Sequence, residues 1–483
     1  MTYDLLIVGG GINGCAIARE ASLLGLKILL VEKDDLASRT SSASTKLIHG
    51  GLRYLETYEF RLVREALHER ERLLEAAPHL IRPLTFVLPH AHALRPWWMV
   101  RAGLYLYDAL AIGSNSTLPR SRDLTAKDKA FTDPLAGAHR GFVYSDCRVD
   151  DARLTLANAV DAAAHGAEIA TRTELLGARR EGGNWRAELS DGRIVEARGL
   201  VNAAGPWVRK LLDTLAIANH SQIRLVKGSH IVVPRLFDGD HAYILQQPDR
   251  RIVFAIPYEG EFTEIGTTDI QVDRPEDAVC TEEEKTYLCE SVNRYFTRQV
   301  TSADIVWNWS GVRPLHDDGA AKAQSVTRDY VLELDQDGPP LLSILGGKIT
   351  TARALAEEAL AKIGPMLGAE VEPVTRARPF PGGTIADFDK FVAQARARWP
   401  FLGDARAERM AHAYGCCLAD MLRGVTDLGE DLGAGLTATE IRWMRDQEWA
   451  RTAEDVLWRR SKLGLHAGPE LAARVEAILK EQL

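Results

Sequence analysis

Residues 1–15, MTYDLLIVGGGINGC, pass from an apolar run into glycines at Gly9, Gly11 and Gly14. Residues 4–8 (DLLIV) are rich enough in branched apolar side chains to form a buried parallel strand. The next segment, INGCAIAREASLLG, spaces its apolar residues as a helix does. The glycines therefore occupy a strand-to-helix turn, where backbone can approach a ligand closely and the helix N-terminus faces a pyrophosphate. A second strand, KILLVEK, ends at Glu32, 18 residues beyond Gly14, where a carboxylate can hold an adenosine ribose hydroxyl. Strand, helix, strand and acid in this order predict dinucleotide binding. A lone glycine turn would not.

A chain of 483 residues is too long for one ordinary core and predicts two to four units. An apolar share of 46% beside 26% charged residues is that of a well-packed globular protein. The net charge of −8 gives no global reason for a polyanion partner, and no nucleic acid is expected. The six cysteines form no Cys-x-x-Cys pair and no zinc-like spacing with histidines, so unpaired thiols and no metal are expected. The first strand starts at residue 3, leaving no room for a signal peptide. No run of about twenty uncharged apolar residues is present to span a bilayer.

Residues 38–54 (SRTSSASTKLIHGGLRY) read as a hydroxyl-rich loop, followed by a helix with Leu62, Ala66 and Leu73 on one stripe. ARLTLANAVDAAAHG reads as another helix, and WRAELSDGRIVEA as a strand pair turning at Asp191-Gly192. From 223 to 310 the runs GSHIVVP and RIVFAIP suggest antiparallel sheet. Residues 341–360 (LLSILGGKITTARALAEEAL) repeat the opening order of apolar strand, glycine pair and helix. PFPGG at 379–383 reads as a linker into a mostly helical final hundred residues.

The glycine turn alone does not separate NAD from FAD. Two features favour FAD: the hydroxyl- and lysine-bearing loop after Glu32, and Gly346-Gly347-Lys348 opening a late helix. The positive end of that helix suits a flavin edge that gains negative charge on reduction. The motifs GGGINGCAIARE, TSSASTKLIHGGLRYLE, YSDCRVDDARL, NAAGPWV, KGSHIVVP, GTTD, SGVRPL, TRDY and GGKITT lie in order along nearly the whole chain. Together they resemble the bacterial aerobic (respiratory) FAD-dependent glycerol-3-phosphate dehydrogenases.

The resemblance implies an α/β architecture: a Rossmann-like, glutathione-reductase-type FAD domain, an antiparallel-sheet substrate domain and a C-terminal helical domain. The borders expected are 1–85, 145–215 and 315–375 for the FAD domain, 86–144 and 216–314 for the substrate and membrane-contact domain, and 380–483 for the helical cap. It implies oxidation of sn-glycerol 3-phosphate to dihydroxyacetone phosphate, with electrons passed to membrane quinone. One departure is Ala203-Ala204-Gly205, where the family often has Ala-Thr-Gly; a backbone contact at Ala204 and Gly205 survives it.

Oxidising a carbinol removes a hydride and a proton, so the protein must supply a base and hold a dianionic phosphate. His230, in KGSHIVVP, is the candidate base, its place supported by the resemblance. For phosphate, forked permanent charges suit best, which selects Arg53, Arg251 and Arg313, with Tyr54 beside Arg53. Arg313 also suits a flavin or alkoxide contact, and Lys348 touches flavin and substrate in this reading. Asp269, after Gly266-Thr267-Thr268, either orients a cationic partner at the substrate or caps a turn. Gly9, Gly11, Asn13, Gly14, Glu32 and Lys33 are assigned to the dinucleotide, and Ser41, Ser42, Ser44, Thr45 and Lys46 to pyrophosphate and flavin. His49, Gly50 and Gly51 complete that loop, His49 being the weaker candidate base, with Gly347 and Thr350 at the late helix.

Residues 95–111 place Trp97, Val100, Leu104, Tyr107 and Ala111 on one helical face. With the resemblance, that stripe predicts a monotopic contact with the lipid bilayer surface, peripheral on the cytoplasmic face of the cell membrane. Segment 449–463 offers a further attachment or a homodimer contact. The alternatives are a soluble glycerol-3-phosphate oxidase reducing oxygen, and another FAD-dependent amine or alcohol oxidase.

Overall fold

Leu5, Leu6 and Ile7 are each wholly buried, as successive residues of a strand must be when both faces of its sheet are covered. In the computed structural model, which describes residues 2–481 apart from 93, 115, 126, 138–139, 219–221 and 317–328, this strand is central. Thr327 and Arg328 of the TRDY motif lie outside the described residues. Thr2–Val8 pairs in parallel with Ile28–Glu32 on one side and Ile194–Asn202 on the other. Glu168–Thr171 and Leu341–Leu345 extend the parallel set, and Val331–Asp335 closes one edge antiparallel.

Helices Ile12–Leu23, Asp151–Ala164 and Ala352–Ile363 bury their apolar stripes on one face of this sheet. Trp185, Leu189, Leu211 and Leu212 cover the other. The Asp191-Gly192 turn joins Asn184–Leu189 to Ile194–Asn202, Gly192 adopting the left-handed φ of +87° that such a turn requires.

The second sheet has ten strands among the described residues. Ile223–Pro234 pairs antiparallel with Phe262–Gly266, Ile270–Val272 and Trp307–His316. The ladder continues through Ile252–Tyr258, Ala242–Gln246, Ile81–Pro89 and Gly141–Val149 to Leu47–Ile48. Every pairing is antiparallel except Ala242–Gln246 with Ile81–Pro89. The expected domain borders need correction here. Those at 85/86 and 144/145 cut through strands, because Leu47–Ile48, Ile81–Pro89 and Gly141–Val149 belong to this second sheet. Apolar runs of this length look alike in either sheet, and only their pairing partners decide membership.

Helix Trp97–Leu110 corrects a second expectation. Its predicted lipid-facing stripe faces the protein: Leu104 and Tyr107 are buried against Phe86, Phe142 and Tyr144, with Trp97 and Val100 beside them. The helix is apolar on its opposite face too, where Trp98, Met99, Tyr105 and Leu106 are exposed.

The C-terminal region has its own core, built from helices Phe388–Arg398, Asp404–Tyr414, Ala438–Glu448 and Glu470–Leu479 and a π-helix at Asp455–Arg460. Segment 449–463, expected at a membrane or dimer surface, is mostly internal instead, with Arg451 and Glu454 its exposed residues. Trp458 stacks on Trp307 at 4.3 Å, and Arg459 and Arg460 are buried against Asp35.

Candidate active site

The glycine turn is built as its sequence demands. Gly9 has φ +116°, and a Cβ there would lie 2.4 Å from the Ala203 carbonyl oxygen. Gly14 packs helix on strand, its ideal Cβ falling 2.0 Å from the Gly9 carbonyl oxygen. At Gly11 the only atom within 4 Å of that position is Ser41 Oγ at 3.2 Å, so backbone there is open to a ligand.

Two joined cavities run from this turn, sharing Thr40 and Ser41. The smaller, about 160 Å³, is lined by Gly9, Gly11, Glu32, Lys33, Ala204 and Gly205. Glu32 is fixed there by accepting the Gly10 N–H at 2.7 Å and the Asp34 N–H at 2.8 Å. The larger, about 520 Å³, is lined by Ser44, Thr45, His49, Gly51, Arg53, Tyr54, Asp269, Arg313, Gly347, Lys348 and Thr350. Loop 38–54, strand Trp307–His316 and the turn before helix Ala352–Ile363 thus converge, Thr40 of the loop bonding Val312 across 272 residues of chain and His49 bonding Thr350 across 301.

The larger cavity carries both signs: Arg53, Arg95, Arg250, Arg313 and Lys348 line it together with Glu56, Glu59, Asp146, Asp249 and Asp269. Arg313 is aimed by Asp269, its Nη1 donating to Oδ1 at 2.7 Å. Lys348 Nζ is buried without a hydrogen-bond partner among the described residues, 4.1 Å above the centre of the Tyr54 ring. A buried ammonium lacking an acceptor is expensive unless an anion completes the site. The loop carrying His49 is held from behind: the Gly50 N–H donates to Tyr107 Oη at 2.8 Å, and Tyr107 donates to Asp146. The His49 N–H donates to Thr350 Oγ1 at 3.4 Å.

Several sequence-predicted residues lie off the cavity walls. His230 is not on either wall. It is 1% exposed, stacked on Trp309 at 5.1 Å, and reaches the site only through Thr45 Oγ1, 2.9 Å from its Nε2. Burial, with Arg313 and Lys46 nearby, holds its pKa well below the ordinary value, so it is neutral. The strand projects it inward, but to the sealed side of Thr45. Lys46 is committed to a buried ion pair with Asp151 at 3.0 Å. Arg251 lies over the Tyr287 ring at 5.1 Å, near Asp249, while its neighbour Arg250 lines the cavity. Ser42 donates to the Arg39 carbonyl at 3.3 Å, a local cap. Asn13 bonds the Gly346 carbonyl at 3.1 Å, and Gly14 and Gly50 act as packing positions.

Sequence reasoning missed Thr40, Trp207, Thr173 and Arg250 on the walls. Trp207 stood in the NAAGPWV motif, and Lys33 Nζ sits 4.4 Å above its ring. The Arg250-Arg251 doublet carried no signal for choosing between its members.

The cradle fits a flavin dinucleotide: a glycine turn that excludes side chains, a carboxylate at the second strand, and an unpaired buried cation by the larger cavity. The FAD dependent oxidoreductase family matches residues 4–353, ending before the C-terminal domain. A glycerol-3-phosphate dehydrogenase of Pseudomonas aeruginosa is 50% identical over 99% of this chain and 95% of its own. A D-erythritol 1-phosphate dehydrogenase of Brucella abortus is 47% identical over 98% of this chain and 97% of its own. The crystal structure of a glycerol-3-phosphate dehydrogenase from Bacillus halodurans complexed with FAD is similar, with a TM-score of 0.77 and 27% identity. That match covers 99% of this chain and 89% of the other.

Proposed function

The chain belongs to the FAD-dependent oxidoreductase family, and from that premise we propose that it oxidises sn-glycerol 3-phosphate to dihydroxyacetone phosphate, passing the electrons through FAD to membrane quinone. The observation that carries the substrate reading is Lys348 Nζ, buried and unpartnered on a cavity that Arg53 and Arg313 also line. FAD, when bound, supplies the acceptor for the hydride leaving the carbinol carbon.

Arg53, Arg313 and Lys348 bind the phosphate dianion and orient the carbinol. Asp269 keeps the Arg313 guanidinium pointed at it. His49 is the one histidine on the wall among the described residues, and it replaces His230 as the base. A His49 ring nitrogen takes the hydroxyl proton as the C–H pair leaves, and the carbonyl forms. Tyr107 and Asp146 hold the His49 loop in place from the rear. His230 positions Thr45 and does not touch substrate.

The membrane reading moves to the other face of helix Trp97–Leu110. Trp98 (67% exposed), Tyr105 (61%) and Ile112 (63%) recur every seven residues on that outer face, and Tyr58 (79%), before the preceding helix, is exposed as well. Glu56, Glu59 and Arg95, neighbours of Tyr58 and Trp98 in the chain, line the larger cavity. Among the described residues no helix is long and apolar enough to cross a membrane. A protein resting on this helix face at the cytoplasmic side would bring its cavity to the headgroup layer, where quinone is within reach.

An anaerobic titration tests the whole reading: glycerol 3-phosphate should bleach the yellow chromophore in one equivalent. The Brucella relative supports a second reading, a four-carbon polyol phosphate. If D-erythritol 1-phosphate bleaches the flavin faster than glycerol 3-phosphate at equal concentration, that reading replaces the first. Bleaching by glycine and by neither phosphate would overturn both.

A further inference from the structure

The nucleotide cavity is walled on its outer side by two short segments. The first is the strap after Glu32. Lys33, Ala37, Ser38 and Arg39 line the cavity. The Ala37 N–H donates to the Gly10 carbonyl at 3.0 Å, and Leu36 occupies the space that a side chain on Gly10 would need. The second is the turn after Glu168–Thr171. There the Arg172 N–H donates to the Asp34 carbonyl and the Thr173 N–H to the Glu32 carbonyl, both at 2.8 Å. Thr173 lines the cavity as well.

Both segments are gripped from the C-terminal domain, beyond the residues that the family match spans. Asp35, 2% exposed in the middle of the strap, accepts Arg459 Nε at 2.6 Å and Arg460 Nη2 at 2.8 Å. Arg172, in the second segment, donates to Asp455 Oδ2 at 2.7 Å. Asp455 in turn holds Arg459. Asp455, Arg459 and Arg460 all belong to the π-helix Asp455–Arg460, a form concentrated at functional positions. The strap cannot swing outward without exposing or unpairing these buried charges.

We propose that the C-terminal domain is a clamp on the cofactor: Arg459 and Arg460, by fastening Asp35, and Asp455, by fastening Arg172, keep the walls of the nucleotide cavity closed over the dinucleotide. These are positioning residues, since none of them lines the cavity. An ion pair inside the C-terminal domain provides the contrast. Arg409, on helix Asp404–Tyr414, donates to both carboxylate oxygens of the buried Glu440 at 2.7 Å, and neither residue lines either cavity.

The test is flavin release from the purified holoenzyme, followed as the fluorescence that appears on dilution, for Asp35→Asn, Arg459→Lys and Glu440→Gln. Release should be about tenfold faster in Asp35→Asn and Arg459→Lys, because loss of a buried charged partner acts mainly on the off-rate. Glu440→Gln should lower the melting temperature and release flavin at the wild-type rate. Wild-type release in the first two variants overturns the clamp, and so does equally fast release from Glu440→Gln. Should Asp35→Asn not fold, Arg459→Lys, which keeps the charge and loses the fork, decides alone. Wild-type protein purified without flavin would instead overturn the cofactor assignment itself.

Discussion

Lys348 Nζ stands 4.1 Å above the Tyr54 ring, so the cavity presents a cation that lies on an aromatic face and has no hydrogen-bond acceptor among the described residues. The cation–π contact offsets part of its desolvation, roughly 2 kcal/mol at most, and leaves the rest to an anionic ligand. Lys348→Met should therefore lower kcat/KM for glycerol 3-phosphate by about 2–5 kcal/mol, some thirtyfold or more. The melting temperature of the flavin-free protein should not fall, because an unpaired charge has been removed. A lowered melting temperature with unchanged kcat/KM would reverse the assignment.

His49 and His230 separate cleanly by mutation. His49→Gln should reduce flavin reduction by about 10²–10⁴-fold, the usual worth of a general base. His230→Gln leaves the cavity wall intact and should cost far less. Stopped-flow reduction of the two holoenzymes compares them directly. Equal losses would restore His230 as the base.

Arg313 and Arg250 line the cavity, whereas Arg251 lies over Tyr287. Arg313→Ala should raise the KM for glycerol 3-phosphate by about 2–5 kcal/mol equivalent, and Asp269→Asn, which frees the same guanidinium, by less. Arg251→Ala should leave KM unchanged. Steady-state kinetics of the three variants is the check.

Glu264 is wholly buried with neither oxygen hydrogen-bonded, and burial raises its pKa from 4.5 to about 8. Lys46 pulls against this shift, while Asp151 and Glu259 add to it. The folded state therefore keeps a proton that the unfolded chain gives up. The sign follows: this group's contribution is full below about pH 4.5 and is lost as pH rises through about 8. Glu264→Gln, permanently neutral, should be more stable than wild type at pH 8.5, with the advantage shrinking toward pH 5. Melting curves at the two pH values check it; a pH-independent difference would refute it.

Membrane contact, if made through the exposed face of helix Trp97–Leu110, should depend on Trp98 and Tyr58 and not on the inward Leu104. Trp98→Asp should weaken co-sedimentation with anionic lipid vesicles by about tenfold or more, since burying one large aromatic is worth roughly 1.5–3 kcal/mol. Its melting temperature should stay at the wild-type value. Leu104→Ala, in the core, should do the opposite, costing about 2–5 kcal/mol of stability with vesicle binding retained.

Local chemistry was legible wherever backbone conformation is dictated within a few residues. The Gly9–Gly14 turn, Glu32 at the end of its strand, the Asp191-Gly192 hairpin and the glycines before Lys348 needed only steric reasoning and periodicity, and so did the dinucleotide fold built on them. What remained open was the direction of a side chain across a layer. His230 is on the strand foreseen, yet pairing with Phe262–Gly266 and stacking on Trp309 turn it to the sealed side of Thr45. Arg250 and Arg251 are adjacent, and only the loop's path sends one to the cavity and the other over Tyr287. Helix Trp97–Leu110 is apolar on both faces, so its own pattern could not say which face docks. Strand membership of Ile81–Pro89 and Gly141–Val149, and the grip of Arg459 and Arg460 on Asp35 more than 400 residues away, depend on contacts between distant segments. A chain encodes such contacts only through the assembled core, because sequence spacing carries short-range geometry and long-range pairing is selected by what the whole fold can bury.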